Sequence, residues 1–249
     1  MLKRAIDFIL SAAGLVATSP VMLPTMLLVW LQDYHSPFYI ADRVGLRGRT
    51  FRMVKLRSMV VNADKSGVDS TSANDKRITV VGHFIRRFKL DELSQLWNVF
   101  TGDMSLVGPR PNVTGEVERY TAEEMGLLEV KPGITDISSI VFSDEGVILA
   151  DSADPDLDYN RLIRPWKSRM GLLYIEKQSV PLDIALIGLT LLAIVSKNRA
   201  LGLLAHLLRR MDAPDELIAV AARRSSLIPA APPGADRPVV AADLYGPAN

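Results

Sequence analysis

Apolar residues crowd the start of the chain. From Ile6 to Leu31 it reads IDFILSAAGLVATSPVMLPTMLLVWL, with Asp7 its only charge and Lys3 and Arg4 just ahead of it. About 20 apolar residues suffice to cross a bilayer as a helix. Ser19-Pro20 and Pro24 interrupt the run near its middle, where each proline removes an amide donor and crowds the preceding turn. Three readings fit. A cleaved signal peptide suits the basic start and the small residues of ATS, but Asp7 sits in the apolar region and the run continues past Thr18. A straight transmembrane helix suits the length. A broken helix that enters the bilayer, turns near Ser19-Pro20 and leaves on the same side suits the prolines, with the Ser19 hydroxyl satisfying a carbonyl freed at the break.

Beyond the run, the pattern shifts to short alternating segments. Phe38 to Ile40 and Phe51 to Leu56 read as two strands, with Gly45 and Gly48 in the turn between them. Residues 62–76, NADKSGVDSTSANDK, read as a loop, and Ile78 to Phe88 as a short helix carrying His83, Arg86 and Arg87. In LDELSQLWNVFTGDMSLVGPRP, Leu90, Leu93, Leu96, Trp97 and Phe100 fall at helical spacing. Residues 116–129 predict an acidic, solvated helix. Lys131-Pro132-Gly133 reads as a turn, and Tyr159 to Glu176 as a helix. Leu182 to Val195 is short for a span and suits a core or interfacial helix. Ala200 to Met211 is amphipathic, and the Ala/Pro-rich chain from Ser225 predicts disorder. The elements together predict a mostly helical α+β fold. Its parts are a membrane segment over 1–35, a domain over 36–200, an amphipathic helix over 201–224, and a tail over 225–249.

Charge narrows the partners. The net charge of +1 over 249 residues excludes the global basic field of a nucleic-acid binder. The absence of Cys excludes disulfides and thiolate metal sites, and three His argue against a His-based zinc site. Yet Arg43, Arg47, Arg49, Arg52, Lys55 and Arg57 make the hairpin strongly basic. Beside a membrane segment such a cluster contacts lipid headgroups on the cytoplasmic side. In a sharper reading, Lys55 and Arg57 also face an anionic substrate.

The acidic pair Asp91-Glu92 opens a helix, where a carboxylate ordinarily just complements the helix dipole. Its surroundings suggest more. Arg86, Arg87 and Lys89 lie upstream, and Arg110 follows in a rigid Pro-Arg-Pro setting. Arginine forks suit phosphate oxygens, and a helix N-terminus is itself an anion site. Carboxylates among these cations are expected to stay ionised, able to act as a nucleophile or hold magnesium. Carboxylates, arginines and a membrane segment together suggest phosphate chemistry at a bilayer surface.

The Ser-Pro-interrupted N-terminus, SPFYIADRVGLRG, FRMVKLRSM, DELSQLWNVFTGDMSLVGPRP and KPGIT resemble the bacterial sugar transferases known as monotopic phosphoglycosyl transferases. The likeness covers about residues 1–135 and continues more loosely through PWKSRMGLLYIEKQSVPLDIALI. It implies a re-entrant N-terminal helix and a catalytic domain on the cytoplasmic face of the inner membrane. It also implies a two-step reaction. Asp91 attacks the β-phosphorus of a UDP-sugar and releases UMP, and polyprenyl phosphate then takes the phosphosugar from Asp91. Glu92 would hold Mg²⁺, and Arg110 would contact phosphate or nucleotide. Lys55, Arg57 and Arg86 complete the expected substrate-binding set. Inner-membrane lipid is the implied environment, a homodimer an open arrangement, and nucleic acid no partner. Two departures bear on sugar and nucleotide contacts. Val80 and His83 stand where arginine is common, and Asp136 to Ser139 where Gly-Trp-Ala-Gln is common.

Two other classes compete. A catalytically inactive membrane scaffold of the same family would not need the Asp91-Glu92 pair. A soluble phosphate-binding module would not need residues 6–31.

Overall fold

The structure is a computed structural model and describes residues 2–63, 75–224 and 226–246. Most of the loop expected at 62–76 lies outside the described residues.

Helix α1, Leu2–Asp33, is the one described helix long and apolar enough to cross a membrane. At the expected break the helical hydrogen-bond pattern continues, so that α1 runs through Ser19-Pro20 with Pro20 and Pro24 inside it. The reason is local. Pro20 has no N–H for the carbonyl four residues back, Val16, and the Ser19 hydroxyl donates to that carbonyl at 2.7 Å. Thr18 and Thr25 likewise donate to the carbonyls of Gly14 and Val21. One stripe of α1 is buried, formed by Asp7, Ser11, Met22, Thr25 and Val29. Phe8, Ile9, Val16, Leu23, Leu27 and Leu31 stay exposed on the rest of its surface.

The hairpin forms as expected but longer. Strands β1 (Phe38–Val44) and β2 (Thr50–Leu56) pair antiparallel, Phe38 opposite Leu56 and Val44 opposite Thr50. Arg47 (φ 56°) and Gly48 (φ 73°) carry the left-handed turn between them. The helix expected over 78–88 is α2, Val80–Arg87, capped by Thr79, whose hydroxyl accepts from the Gly82 amide. The single helix expected from Leu90 is two short ones, α3 (Leu90–Leu93) and α4 (Leu96–Thr101), joined through Ser94 and Gln95.

A second sheet escaped the sequence reading. Strands β3 (Ser105–Val107) and β4 (Gly133–Thr135) pair in parallel and are too short for alternation to show. Between them the expected acidic helix is only α5, Thr114–Val117, followed by a 3₁₀ turn at Glu124–Glu129. The rest is helical: α6 (Ile137–Val141), α7 (Glu145–Ile148), α8 (Pro155–Asp158), a π turn at Tyr159–Ile163, α9 (Arg164–Lys177), α10 (Val180–Val195), α11 (Lys197–Arg210), α12 (Asp215–Ala222) and α13 (Ala241–Tyr245). The departure over Asp136 to Ser139 contains a helix cap: Asp136 accepts from the Ser139 amide at 2.7 Å and opens α6.

The main core runs from β3 through α6, α9 and α10 to α11 and α12, centred on Ile137, Ile163, Met170, Leu186, Leu204 and Leu208. A second cluster, Met22, Val29, Leu56, Ile85 and Leu90, joins α1 to β2, α2 and α3. The expectation of a disordered tail is corrected. Over 226–246 the chain packs back on the domain, with Pro232 and Pro233 buried and the Ala230 amide donating to the Arg161 carbonyl at 2.9 Å. Prolines preset the backbone, so the segment loses little entropy on docking.

Charged residues pin both ends of α1 to the same domain. Lys3 donates to Asp183 of α10 at 2.6 Å and to the Val107 carbonyl. Arg4 caps the carbonyls of Val99 and Phe100 at the end of α4. Asp7, the lone acid of the apolar run, accepts from the Leu106 amide of β3 at 3.0 Å. At the other end Arg57 grips Asp33 with both fork nitrogens, at 2.5 and 2.7 Å.

Candidate active site

Asp91 and Glu92 stand at the start of α3, directly after Lys89, which turns left-handed (φ 56°) to break the chain away from α2. A non-glycine residue there costs backbone energy and is held by its surroundings. The hold is visible. Asn98 on α4 acts as an extra rung on β2, accepting from the Val54 amide at 2.9 Å and donating to the Arg52 carbonyl at 2.8 Å. Ser94 donates to the Asp91 carbonyl at 2.8 Å and lies 3.2 Å from the Val54 carbonyl. These bonds lock α3 and α4 against the strand that carries Lys55. Neither Ser94 nor Asn98 was singled out from sequence. The available signal was their i, i+4 spacing in an otherwise apolar helix pattern.

The Gly-Pro-Arg-Pro turn answers a second positional need. Gly108 and Gly133 meet backbone to backbone: a Cβ on Gly133 would lie 2.1 Å from the Gly108 nitrogen, and one on Gly108 would lie 2.5 Å from the Lys131 carbonyl oxygen. The Gly133 amide donates to the Pro109 carbonyl at 2.9 Å. So KPGIT and GPRP clasp each other, and the turn swings Arg110 back onto Glu92, 3.0 Å from its Oε1. Arg86 is aimed by Ser58, whose hydroxyl accepts from Nε at 3.0 Å.

The two carboxyls titrate in opposite directions. Arg110, Lys89 and Lys55 outweigh burial at Glu92 and hold it below the usual carboxylate range. At Asp91 burial comes first and the neighbouring Glu92 adds to it, so its carboxyl is pushed up despite Lys55, Arg110 and Lys89. Burial thus works against the charged form at Asp91, and the surrounding cations favour it at Glu92. Asp91 Oδ1 is buried and has no hydrogen-bond partner among the described residues. Burial and Arg110 lower the Lys55 ammonium to about 8. Arg86 also feels the Asp91 charge. The site thus gathers Asp91, Glu92, Lys55, Arg86 and Arg110.

Arg57 is placed elsewhere. It would share a strand face with Lys55, but β2 ends at Leu56 and the Arg57 amide turns to the Pro37 carbonyl. Its buried fork is committed to Asp33, and its Nε to the Ser36 carbonyl. His83 is exposed on α2, away from any cluster of metal-binding groups. Among the described residues no group of three or more His, Cys, Asp or Glu could enclose a metal. Magnesium suits so sparse a donor set, since it keeps waters and borrows substrate phosphates for ligands. Arg110 and Lys89 both approach Oε1 of Glu92, which leaves Oε2.

A buried carboxylate oxygen that feels the charges of Lys55, Lys89, Arg86 and Arg110 suits an electrophilic, anionic group such as a phosphate ester. A UDP-galactose-lipid carrier transferase of Erwinia amylovora is 40% identical over 152 residues, 54% of this chain and 31% of that protein. The exopolysaccharide production protein ExoY of Sinorhizobium fredii is 37% identical over 153 residues, 55% of this chain and 68% of that protein. An undecaprenyl-phosphate galactose phosphotransferase of Salmonella typhimurium is 34% identical over 214 residues, 80% of this chain and 41% of that protein. The chain thus spans between about a third and two thirds of the length of these relatives. The model of the bacterial sugar transferase family matches residues 1–197, which takes in α1, the hairpin, the acidic pair and both glycine turns, and the chain belongs to that family.

Proposed function

We propose that the protein transfers a phosphosugar from a UDP-sugar to a polyprenyl phosphate such as undecaprenyl phosphate, and so begins assembly of a membrane-bound glycan. The observation that carries this reading is the free, buried Oδ1 of Asp91 beside Lys55, Arg86 and Arg110. Relatives named for undecaprenyl-phosphate sugar transfer, among them those of Salmonella typhimurium and Escherichia coli, support the substrate class.

In the first step an Asp91 oxygen bonds to the β-phosphorus, and the bond from that phosphorus to the bridging oxygen breaks. UMP leaves with the bridging oxygen, and the sugar phosphate remains on Asp91 as an acyl phosphate. In the second step a phosphate oxygen of the lipid attacks the same phosphorus, and the Asp91 carboxylate departs. Burial suits the nucleophile, because a poorly solvated carboxylate loses less on bonding. Adjacent residues of a helix point about 100° apart, so Asp91 and Glu92 can serve separate roles. Arg110, fixed by Glu92 and the glycine clasp, faces the phosphates as a fork, and Lys55 and Arg86 add positive charge. Glu92, through Oε2, would hold Mg²⁺, which when bound offsets charge on the diphosphate.

We also propose that the protein is monotopic in the inner membrane, with both ends of α1 and the catalytic domain on the cytoplasmic side. Two observations support this: the Lys3–Asp183 pair at one end of α1 and the Asp33–Arg57 pair at the other join it to one and the same domain. A straight span would have to give up one of these pairs.

The test is a panel of UDP-sugars assayed for UMP release with undecaprenyl phosphate. One donor should turn over, and Asp91→Asn should lose at least 1,000-fold, as removal of a covalent nucleophile does to order of magnitude. A variant that keeps a tenth of wild-type rate rules the nucleophile out. An intact Asp91 that turns over no donor favours the inactive-scaffold reading.

A further inference from the structure

Residues 226–246 lie outside the region shared with the family model, yet they fasten onto the domain at three separated places. The Ala230 amide donates to the Arg161 carbonyl in the π turn at 2.9 Å, and Tyr245 donates to Asp154 at 2.8 Å. Between these contacts, Thr121 donates its hydroxyl to the Pro233 carbonyl at 2.5 Å. A π turn leaves carbonyls out of the regular helical ladder, so an amide from outside the helix can take one.

The Thr121 contact leads towards the site. Thr121 and Glu124 cap each other, amide to side chain, at 3.1 Å both ways. Glu124 is fully buried and accepts from Arg164 and Ser168 of α9. Tyr120, next in sequence, lies under the Arg164 guanidinium, 5.7 Å from ring centre to Cζ. Its hydroxyl accepts from the Asn112 side chain at 2.8 Å. Asn112 follows Arg110 by two residues, and its carbonyl accepts the Val44 amide at the end of β1. On the other side, α9 comes against the same turn at Gly171, where a Cβ would sit 3.6 Å from Pro109. A continuous set of bonds therefore runs from Pro233 through Thr121, Tyr120 and Asn112 to the turn that carries Arg110.

We propose that segment 226–246 is a clamp that sets the position of the Arg110 turn, with Thr121 and Tyr120 as positioning residues for binding of the sugar-nucleotide donor. The donor assignment rests on the function proposed above. None of these groups touches the reacting atoms. They limit how far the turn can move, and Arg110 must hold its place to meet the donor phosphates.

The experiment uses the full chain in membranes and reads donor KM and kcat from UMP release. Thr121→Val removes the hydroxyl at nearly constant volume, Thr121→Ser keeps it, and Tyr120→Phe removes the Asn112 acceptor. A chain stopped after Arg224 removes the segment. Thr121→Val, Tyr120→Phe and the shortened chain should each raise donor KM about five-fold, the equivalent of one ordinary hydrogen bond, with kcat nearly unchanged. Thr121→Ser should restore wild-type KM, and Thr121→Val combined with Tyr120→Phe should add little to either alone. In parallel, hydrogen exchange at the Val44 amide should quicken in Thr121→Val but not in Thr121→Ser. If the shortened chain does not fold, the Thr121 pair decides. Wild-type KM together with wild-type Val44 exchange in Thr121→Val overturns the clamp. If the wild-type protein releases no UMP from any donor, the functional reading fails by itself, and Val44 exchange alone decides the clamp.

Discussion

Asp91 carries two opposed demands. As a buried carboxyl whose folded-state pKa is raised, it costs stability whenever it is ionised. That cost is fully present above its folded pKa and vanishes as pH falls below the unfolded value. Asp91→Asn should therefore raise Tm at neutral pH while abolishing turnover, and the gain should shrink when melting is repeated near pH 4, about the ordinary aspartate pKa. As the proposed nucleophile Asp91 must be ionised, so kcat/KM should fall on the acid side through a pKa above that of an ordinary aspartate. Lys55 sets the other limb. Its ammonium titrates at about 8, and its charge is lost as pH rises through that value. Activity should decline there, and Lys55→Arg, which stays charged, should push the limb to higher pH. An unchanged alkaline limb in Lys55→Arg would remove Lys55 from the reaction. Glu92 belongs to the metal prediction: EDTA should silence the enzyme and Mg²⁺ restore it, whereas Glu92→Gln should lower the response to Mg²⁺. Full turnover in EDTA would end that role.

At the scale of elements, the site depends on how α3 and α4 sit on β2. Asn98 supplies two bonds to that strand while 2% exposed. Asn98→Ala takes the partner from the Val54 amide and the Arg52 carbonyl, at about 1 kcal/mol for each part-buried hydrogen bond lost. Denaturant unfolding should show that loss, and turnover should fall with it. Asn98→Asp keeps the acceptor and loses the donor, so it should be intermediate if the pairing, not the side-chain volume, matters. This docking was not legible in the sequence. A polar residue between apolar ones reads alike whether it faces water or a strand 44 residues away. Asp7 was obscure for the same reason, with its Leu106 partner 99 positions on. The hairpin and the acidic helix start were legible because turn glycines, strand residues and first-turn carboxylates act locally. Arg57 misled because nothing local in the sequence shows that β2 ends at Leu56 or that the Arg57 fork pairs with Asp33, 24 positions back. The Ala/Pro-rich stretch misled because composition records low hydrophobicity but not the rigidity that lets prolines dock cheaply.

Over the whole molecule, α1 is bound along the catalytic domain from Lys3 to Asp33. The chain has no native Cys, and Leu2 is exposed, so Leu2→Cys gives one clean label. In intact cells an impermeant maleimide added outside should leave it unmodified, and modification would show that the chain spans. Reversing both members of the first pair, Lys3→Glu with Asp183→Lys, should recover stability that either change alone loses. On the monotopic placement proposed above, a helix fastened at both ends also fixes the height of Asp91 above the lipid, because the domain cannot lift off without drawing apolar surface into water. For a lipid-borne acceptor, encounter then becomes a search in two dimensions. The rate should follow the acceptor's mole fraction in the bilayer and not its bulk concentration. Vesicles diluted with buffer should react at the same rate per enzyme, and vesicles diluted with inert lipid should slow in proportion.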